Sequence, residues 1–171
     1  MHNLIKVSLV VLAIVGGSFG AHAQEWQMHT GYEENGAEFA SMSVRVHEFA
    51  MEFYCDEHDW QDYRLGAKFY GPPLPRLNGL DGATAKLSFL FTLRGGVLVR
   101  ELWEPQYRDG GARDQVWVGS IHAGKSEIDA LAGALKLDIL NTDGELVYSF
   151  PTKGTAAGVA HIRKFCKIGL E

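Results

Sequence analysis

The chain has 171 residues, 46% of them hydrophobic and 22% charged, and its formal net charge at pH 7 is −5. Negative charge argues against nucleic acid or an anionic membrane as a partner, because either would favour a basic face. The length is sufficient for one domain with a substantial hydrophobic core.

The first residues have the features of a signal peptide. Lys6 gives a positive start, an apolar run follows over 7–15, and Ala21-His22-Ala23 places small residues where a signal peptidase reads them. The run is too short to cross a hydrocarbon core of about 30 Å, which disfavours an uncleaved anchor. We therefore expect a signal peptide over 1–23, export to the periplasm or exterior of a Gram-negative bacterium, and a mature chain 24–171 with no integral membrane segment.

Strand patterns dominate the mature chain. Apolar and polar residues alternate with period two, which predicts strands with one buried and one wetted face. The segments are 38–46, 49–55, 63–69, 85–93, 97–103, 114–121, 135–140 and 145–150. Gly95-Gly96 and the segment 141–144 predict hairpin turns, because Gly, Asn and Asp tolerate positive φ. The sequence thus predicts a mainly β fold, an antiparallel β-sandwich of about eight strands in a single domain.

Two short helices are expected within this β pattern. Ser126 is the predicted N-cap of the first, which ends at Gly133. The second covers about 155–166, where Val159, Ile162 and Cys166 form one apolar stripe. That stripe should pack on the sheet and carry Cys166 towards the strand that contains Cys55.

Cys55 and Cys166 are the two cysteines of the sequence. In an exported protein such a pair favours a disulfide, here linking the C-terminal helix to an early strand. The alternative is a zinc site, because His58 and His161 lie near the two cysteines in sequence. Oxidising conditions disfavour zinc, since they consume the thiolates that the metal needs.

Candidate catalytic and metal-binding groups are sparse. The acidic segment 56–62 could bind calcium but lacks the EF-hand pattern, so a solvated turn is the simpler interpretation. Glu101 and Glu104 bracket Trp103, but residues three apart at a strand end point in different directions. His122 lies near Ser120 without an assignable acid partner. We expect no metal site, no cofactor and no catalytic residue.

Aromatic side chains are the more suggestive candidates for function. Exposed rings on a sheet can anchor a protein or stack on a sugar, although each ring could instead belong to a second core layer. The segment 103–111 is predicted to be a loop and the main part of a binding patch. The predicted binding residues are Trp103, Glu104, Tyr107, Arg108 and Trp117.

Several positions resemble the invasion-associated protein B (IalB-like) family of exported bacterial proteins. They are the leader, Trp26 soon after the expected cleavage site, Cys55 late in an early strand, and Phe150-x-x-x-Gly154-x-x-Ala157 leading by a short helix to Cys166. The resemblance implies a β-sandwich with a strand-to-helix disulfide, a periplasmic or outer-surface location, and no established catalytic residues. The chain departs from the family in its Pro-rich segment 71–75 and its acidic segment after Cys55. A general envelope role is therefore expected rather than host invasion.

Taken together, the patterns predict an exported protein that binds another envelope or secreted protein and has no catalytic activity. One alternative is an inhibitor of a periplasmic hydrolase that presents a rigid loop such as 71–77 or 104–111. Another is a carrier of a small ligand or carbohydrate, or an enzyme, with a concave pocket near Glu101, Glu104 or His122.

Overall fold

The computed structural model of the chain describes residues 24–32, 36–56, 64–71, 77, 79–111, 115–166 and 168. These ranges contain ten β-strands and two α-helices. The strands are β1 Gln27–Tyr32, β2 Glu38–Val46, β3 Phe49–Asp56, β4 Arg64–Tyr70, β5 Ser88–Leu93, β6 Gly96–Glu101, β7 Trp103–Asp109, β8 Gln115–His122, β9 Lys136–Leu140 and β10 Leu146–Phe150. The helices are α1 Lys125–Gly133 and α2 Thr155–Cys166.

Two antiparallel sheets form the architecture. The six-stranded sheet has the order β1-β2-β3-β4-β8-β7, and the four-stranded sheet has the order β10-β9-β5-β6. Their inner faces share one hydrophobic core, in which the ring of Phe89 on β5 lies 5.5 Å from Phe53 and 5.6 Å from Phe69, measured between centroids. The predicted mainly β, antiparallel sandwich with two short helices is confirmed, and the strands number ten rather than about eight.

The strand β7 corrects the prediction of a loop over 103–111. The segment contains Pro105, a residue type that cannot donate to a ladder and is uncommon inside strands. The structure places Pro105 in a strand whose pairing with β8 shifts register between Trp103 and Gln106, as in a β-bulge. The other edge of β7 is also paired, because Tyr107 N–H donates to Ala83 O at 2.8 Å and Ala85 N–H donates to Pro105 O at 3.4 Å.

The helices follow the prediction closely, with one correction. The N-cap of α1 is Gly124 rather than Ser126, and the Ser126 hydroxyl donates instead to the Glu127 carboxylate. Helix α2 has the predicted bounds and packs on β2, where a Cβ added to Gly158 would lie 2.8 Å from the Met42 sulfur. Glycine at this position therefore allows the helix to approach the sheet closely.

A disulfide joins the late helix to the early strand, as predicted. Cys55 on β3 is bonded to Cys166 on α2, with the two Cα atoms 6.3 Å apart. Both sulfur atoms bond to each other, so the alternative of a zinc site on these cysteines is wrong. The bond closes a loop of 111 residues in sequence separation, a constraint worth about 4–5 kcal/mol in loop-entropy terms.

The first described residues are also held against the core. The Trp26 indole N–H donates to Pro151 O at 2.8 Å, and its ring stacks on Phe53 with centroids 5.7 Å apart. The predicted signal peptide over 1–23, the acidic residues 57–62 and the Pro-rich residues 72–75 lie outside the described residues. Among the described residues, no helix combines the length and the apolar character needed to cross a bilayer.

Candidate functional site

The six-stranded sheet has an inner face and an outer face set by strand periodicity. On β3, Met51, Phe53 and Cys55 point into the core, whereas Glu52 and Tyr54 point away from it. The same alternation continues across β4 and β8 through cross-strand pairing. The outer face thus collects the polar and amphipathic side chains of neighbouring strands.

An open groove of about 570 Å³ lies on this outer face over β4, β8 and β7. We call it the Trp103 groove. Its lining includes Arg64 from β4, Ser120 from β8, and Trp103, Gln106 and Arg108 from β7. The strands meet here because β4 pairs with β8 and β8 pairs with β7.

Trp103 is the most prominent side chain of the groove. It is 41% exposed, and the guanidinium carbon of Arg64 lies 4.7 Å from the centroid of its ring. The His122 ring lies 6.2 Å away between centroids. Cross-strand pairing explains this cluster, because Arg64 is opposite His122 and Trp103 is opposite Ser120. The cation–π contact holds Arg64 in place at the rim of the groove.

Tyr54 forms the second aromatic part of the groove. Its ring lies over Gly66, its partner on β4, and a Cβ on that glycine would come within 2.3 Å of the Tyr54 ring. The Lys68 ammonium lies 4.0 Å from the centroid of the same ring. Lys68 is also 4.0 Å from Glu52, which accepts a hydrogen bond from Tyr70 at 2.8 Å. Glycine at 66 is therefore what lets a tyrosine lie flat on the sheet.

The bulge in β7 carries local backbone strain. Glu104 has φ of 47°, a left-handed conformation that a residue with a side chain adopts at a cost. Bulges re-aim side chains at functional sites, and this one separates the pairing of Trp103 from that of Gln106. The strained residue therefore lies in the bulge directly after Trp103.

The structure separates the five predicted binding residues into two groups. Trp103, Glu104 and Arg108 are exposed and line the groove. Tyr107 and Trp117 are each only 1% exposed, so the expectation that they belong to an exposed patch is wrong. Period-two alternation is the reason, since these two side chains point to the inner face, where their ring centroids are 5.6 Å apart.

The buried pair has an unusual polar feature. Within the described part of the chain, the Tyr107 hydroxyl and the Trp117 indole N–H have no hydrogen-bond partner. Burial raises the pKa of Tyr107, and the Asp109 carboxylate raises it further. These two rings serve packing rather than contact with a ligand.

Several residues of the groove were missed by sequence reasoning. Arg64 and Gly66 line the groove and alternate with the core residues of β4, so the period-two pattern gave the signal that they face outward. What the pattern did not show is that β4 pairs with β8, a strand far away in sequence. Only that pairing brings Arg64 onto Trp103.

The carboxylates considered for catalysis do not converge. Glu101 ends β6 in the four-stranded sheet and is paired with Ser88, whereas Glu104 lies on β7 in the six-stranded sheet. The buried carboxylate of Glu127 lies near His122, since a Cβ on Gly124 would be 2.9 Å from an atom of each. Glu127, however, already accepts hydrogen bonds from Arg100 and Ser126.

The pKa of Glu127 reflects those contacts. Burial alone raises the pKa of this carboxyl, but the hydrogen bonds from Arg100 and Ser126 outweigh it and hold the pKa below its usual value. Glu127 is therefore a charged partner for Arg100 that joins α1 to β6, which is a structural role.

Within the described ranges, no three His, Cys, Asp or Glu side chains are grouped closely enough to hold a metal ion. No family model, no curated protein and no solved structure matches the chain.

Proposed function

We propose that the chain is an exported envelope protein that binds another envelope or secreted protein through the Trp103 groove and catalyses no reaction. The observation that carries the proposal is the half-exposed Trp103, positioned by a strained bulge and covered by Arg64. Tryptophan and arginine are the residue types that most often dominate the binding energy of protein interfaces. An open groove is also a surface that a partner segment can enter without a conformational change.

The expected location rests on two features. The leader pattern over 1–23 predicts export, and the Cys55–Cys166 bond is typical of oxidising compartments such as the periplasm. A cleaved chain 24–171 in the periplasm of a Gram-negative bacterium accounts for both. The motif around Trp26, Cys55 and Cys166 also makes membership of the invasion-associated protein B family part of this proposal.

The geometry favours binding over the alternatives. An enzyme would need convergent titratable groups in a concave pocket, and Glu101 lies in the other sheet from Glu104. An inhibitor that presents a loop at 104–111 is disfavoured because 103–109 is a strand paired along both edges. The other candidate loop is 71–77, and its residues 72–76 lie outside the described residues.

Site-specific photo-cross-linking tests the proposal. A benzophenone amino acid replaces Gln106 inside the groove or, as a matched control, Leu135, which is 57% exposed before β9. In the native host we expect a discrete protein adduct from position 106 and none from position 135. The Trp103→Ala variant should lose the adduct while unfolding at nearly the same temperature, because Trp103 lies outside the core.

The opposite outcomes would contradict the proposal. Equal adducts from positions 106 and 135 would indicate nonspecific proximity. Absence of adducts at 106, or adducts that survive Trp103→Ala, would remove the groove as the binding surface.

A further inference from the structure

We infer that the Trp103 groove is specific for an acidic segment of its protein partner, with Arg64 and Arg108 as the groups that bind its carboxylates. The inference rests on the proposed function and adds the chemistry of the occupant. Three observations support it. Two arginines line the groove, cations cover the aromatic ring faces, and the groove carries more positive than negative charge.

The arginines of the groove differ from those elsewhere in the fold. Arg100 pairs with Glu127, and Arg163 pairs with Asp129. Among the described residues, neither Arg64 nor Arg108 forms an ion pair with a carboxylate, and both line the groove. Arginine presents a planar fork of N–H donors that matches a carboxylate. Two such forks in one groove are therefore available to an incoming acidic group.

Arg64 is also pre-organised. Its guanidinium lies over the Trp103 ring at 4.7 Å, a contact that limits its rotamers without consuming its N–H donors. Ordering a long side chain before binding lowers the entropy cost of binding. The ring of Trp103 thus acts as a platform for the cation.

The aromatic faces argue against a neutral sugar as the occupant. Sugars stack on open ring faces, but Arg64 lies over Trp103 and the Lys68 ammonium lies over Tyr54 at 4.0 Å. A neutral sugar that stacked on these two covered faces would have to displace both cations. A carboxylate would bind Arg64 where it already lies, so the existing geometry favours an acidic ligand.

The charge of the groove is opposite in sign to that of the whole chain. The formal net charge of the chain is −5, whereas Arg64 and Arg108 outnumber the groove carboxylate of Glu104. Opposite potentials steer partners together and set their register. The Glu104 carboxylate should repel an acidic ligand, so its removal tests which sign of charge the groove prefers.

The remaining lining fits a short peptide. Gln106, Ser120 and Thr84 place an amide and two hydroxyl groups at the groove, and these can exchange hydrogen bonds with a peptide backbone. The volume of about 570 Å³ lies within the range of ligand sites in proteins and fits a few residues. Charged anchors with polar groups between them suit an extended acidic segment.

Binding of defined peptides tests the inference with the intact oxidised mature protein. The probe is a blocked hexapeptide of alternating Glu and Gly, compared with its Gln isostere and with trigalacturonate, by isothermal titration calorimetry. We expect the acidic peptide to bind at least about tenfold more tightly than the Gln isostere, and more weakly as salt rises. It should also bind more tightly than trigalacturonate.

Variants of the groove assign the effect to residues. Arg64→Gln and Arg108→Gln should each weaken the acidic peptide by about tenfold and leave the Gln isostere unchanged, because each removes a charge-assisted hydrogen bond. Glu104→Gln should tighten the acidic peptide. Arg94→Gln, an exposed arginine in the turn between β5 and β6, is the matched control and should have no effect.

Three results would overturn the inference. They are equal binding of the acidic peptide and its Gln isostere, tighter binding of trigalacturonate, and an affinity indifferent to both arginine variants. If cross-links from position 106 still form and still depend on Trp103, the proposed function stands and only the acidic occupant is wrong. If those cross-links fail, the proposed function itself is wrong.

Discussion

Neighbouring residues on β3 show how differently the two faces of the six-stranded sheet are used. Cys55 points inward and is bonded to α2, while Tyr54 points outward and lies over Gly66 beneath the Lys68 ammonium. Two adjacent residues thus have opposite roles. One closes the core through a covalent bond, and the other belongs to an open surface with cation–aromatic contacts. The inner face closes the core, whereas the outer face leaves its side chains open to a ligand.

The tryptophans of β7 and β8 repeat the contrast. Trp117 on the inner face is 1% exposed and packs on Tyr107, with no polar partner for its N–H among the described residues. Trp103 on the outer face is 41% exposed and contacts Arg64. An aromatic residue in a strand therefore indicates a binding site only when its side chain is known to lie on the exposed face of the sheet.

The largest effect is expected from removal of the disulfide on the inner face. The double variant Cys55→Ala, Cys166→Ala should lose about 4–5 kcal/mol in the free energy of unfolding, because the unfolded chain regains the entropy of an open loop. Urea unfolding of wild type and variant measures the loss, and wild type in reductant is the control. A loss under about 1 kcal/mol would show that the packing of α2 alone holds the helix.

The ion pair between the buried Glu127 carboxylate and the partly exposed Arg100 should come next. Arg100 is the cross-strand partner of Phe89 and is paired with Glu127, so Glu127→Gln should cost about 2 kcal/mol by removing a charged hydrogen-bond partner. Because the folded pKa of Glu127 lies below its unfolded value near 4.5, its contribution is present above that pH and is lost as pH falls through the folded pKa.

Urea unfolding between pH 7 and pH 3 measures this dependence. The stability difference between wild type and Glu127→Gln should shrink on acidification below about pH 4.5. A difference that stays constant across this range would show that the charge of Glu127 does not carry the effect.

A smaller effect is expected on the outer face at Gly66. A Cβ there would come within 2.3 Å of the Tyr54 ring, so Gly66→Ala should displace the ring and cost about 1 kcal/mol, the lower end for overpacking because the ring lies on the open face. Gly133→Ala is the matched control, because no atom lies within 4 Å of the added Cβ. Thermal unfolding compares the two variants. Equal, small changes would mean that the Tyr54 ring moves aside freely.

The smallest effect should be at Tyr107, and its sign is informative. Tyr107→Phe removes a buried hydroxyl that has no partner among the described residues. Leaving such a group unpaired costs about 1–3 kcal/mol, so the variant should be as stable as wild type or slightly more stable. Chemical denaturation checks this. A loss above about 1 kcal/mol would reveal a partner for the hydroxyl.

The parts of the fold that sequence predicted well are those with uninterrupted local patterns. Both β2 and α2 have the predicted bounds, because alternation over 40–46 and the stripe of Val159, Ile162 and Cys166 are unbroken. Strand β1 was missed because Gln27–Tyr32 is largely exposed on both faces and shows no alternation. Strand β7 was missed because a proline and a bulge interrupt it.

The candidate site was predicted only in part, for a related reason. Trp103, Glu104 and Arg108 come from one segment and could be singled out together. The contribution of Arg64 depends on the pairing of β4 with β8, which joins strands separated by β5, β6 and β7 in sequence. Such nonlocal pairing is a property of the whole fold and leaves no local signature.

The connection between the two sheets, from β6 to β7, limits where the chain can accept inserted residues. β6 ends at Glu101 and β7 begins at Trp103, so buried Leu102 alone carries the chain across, with its N–H donating to Leu87 O at 2.8 Å. An inserted residue that shifted the register of β7 by one would reverse which of its side chains face the groove. The exposed Arg94-Gly95 turn has no such constraint and is the place for a fluorescent or affinity tag that leaves the groove unchanged.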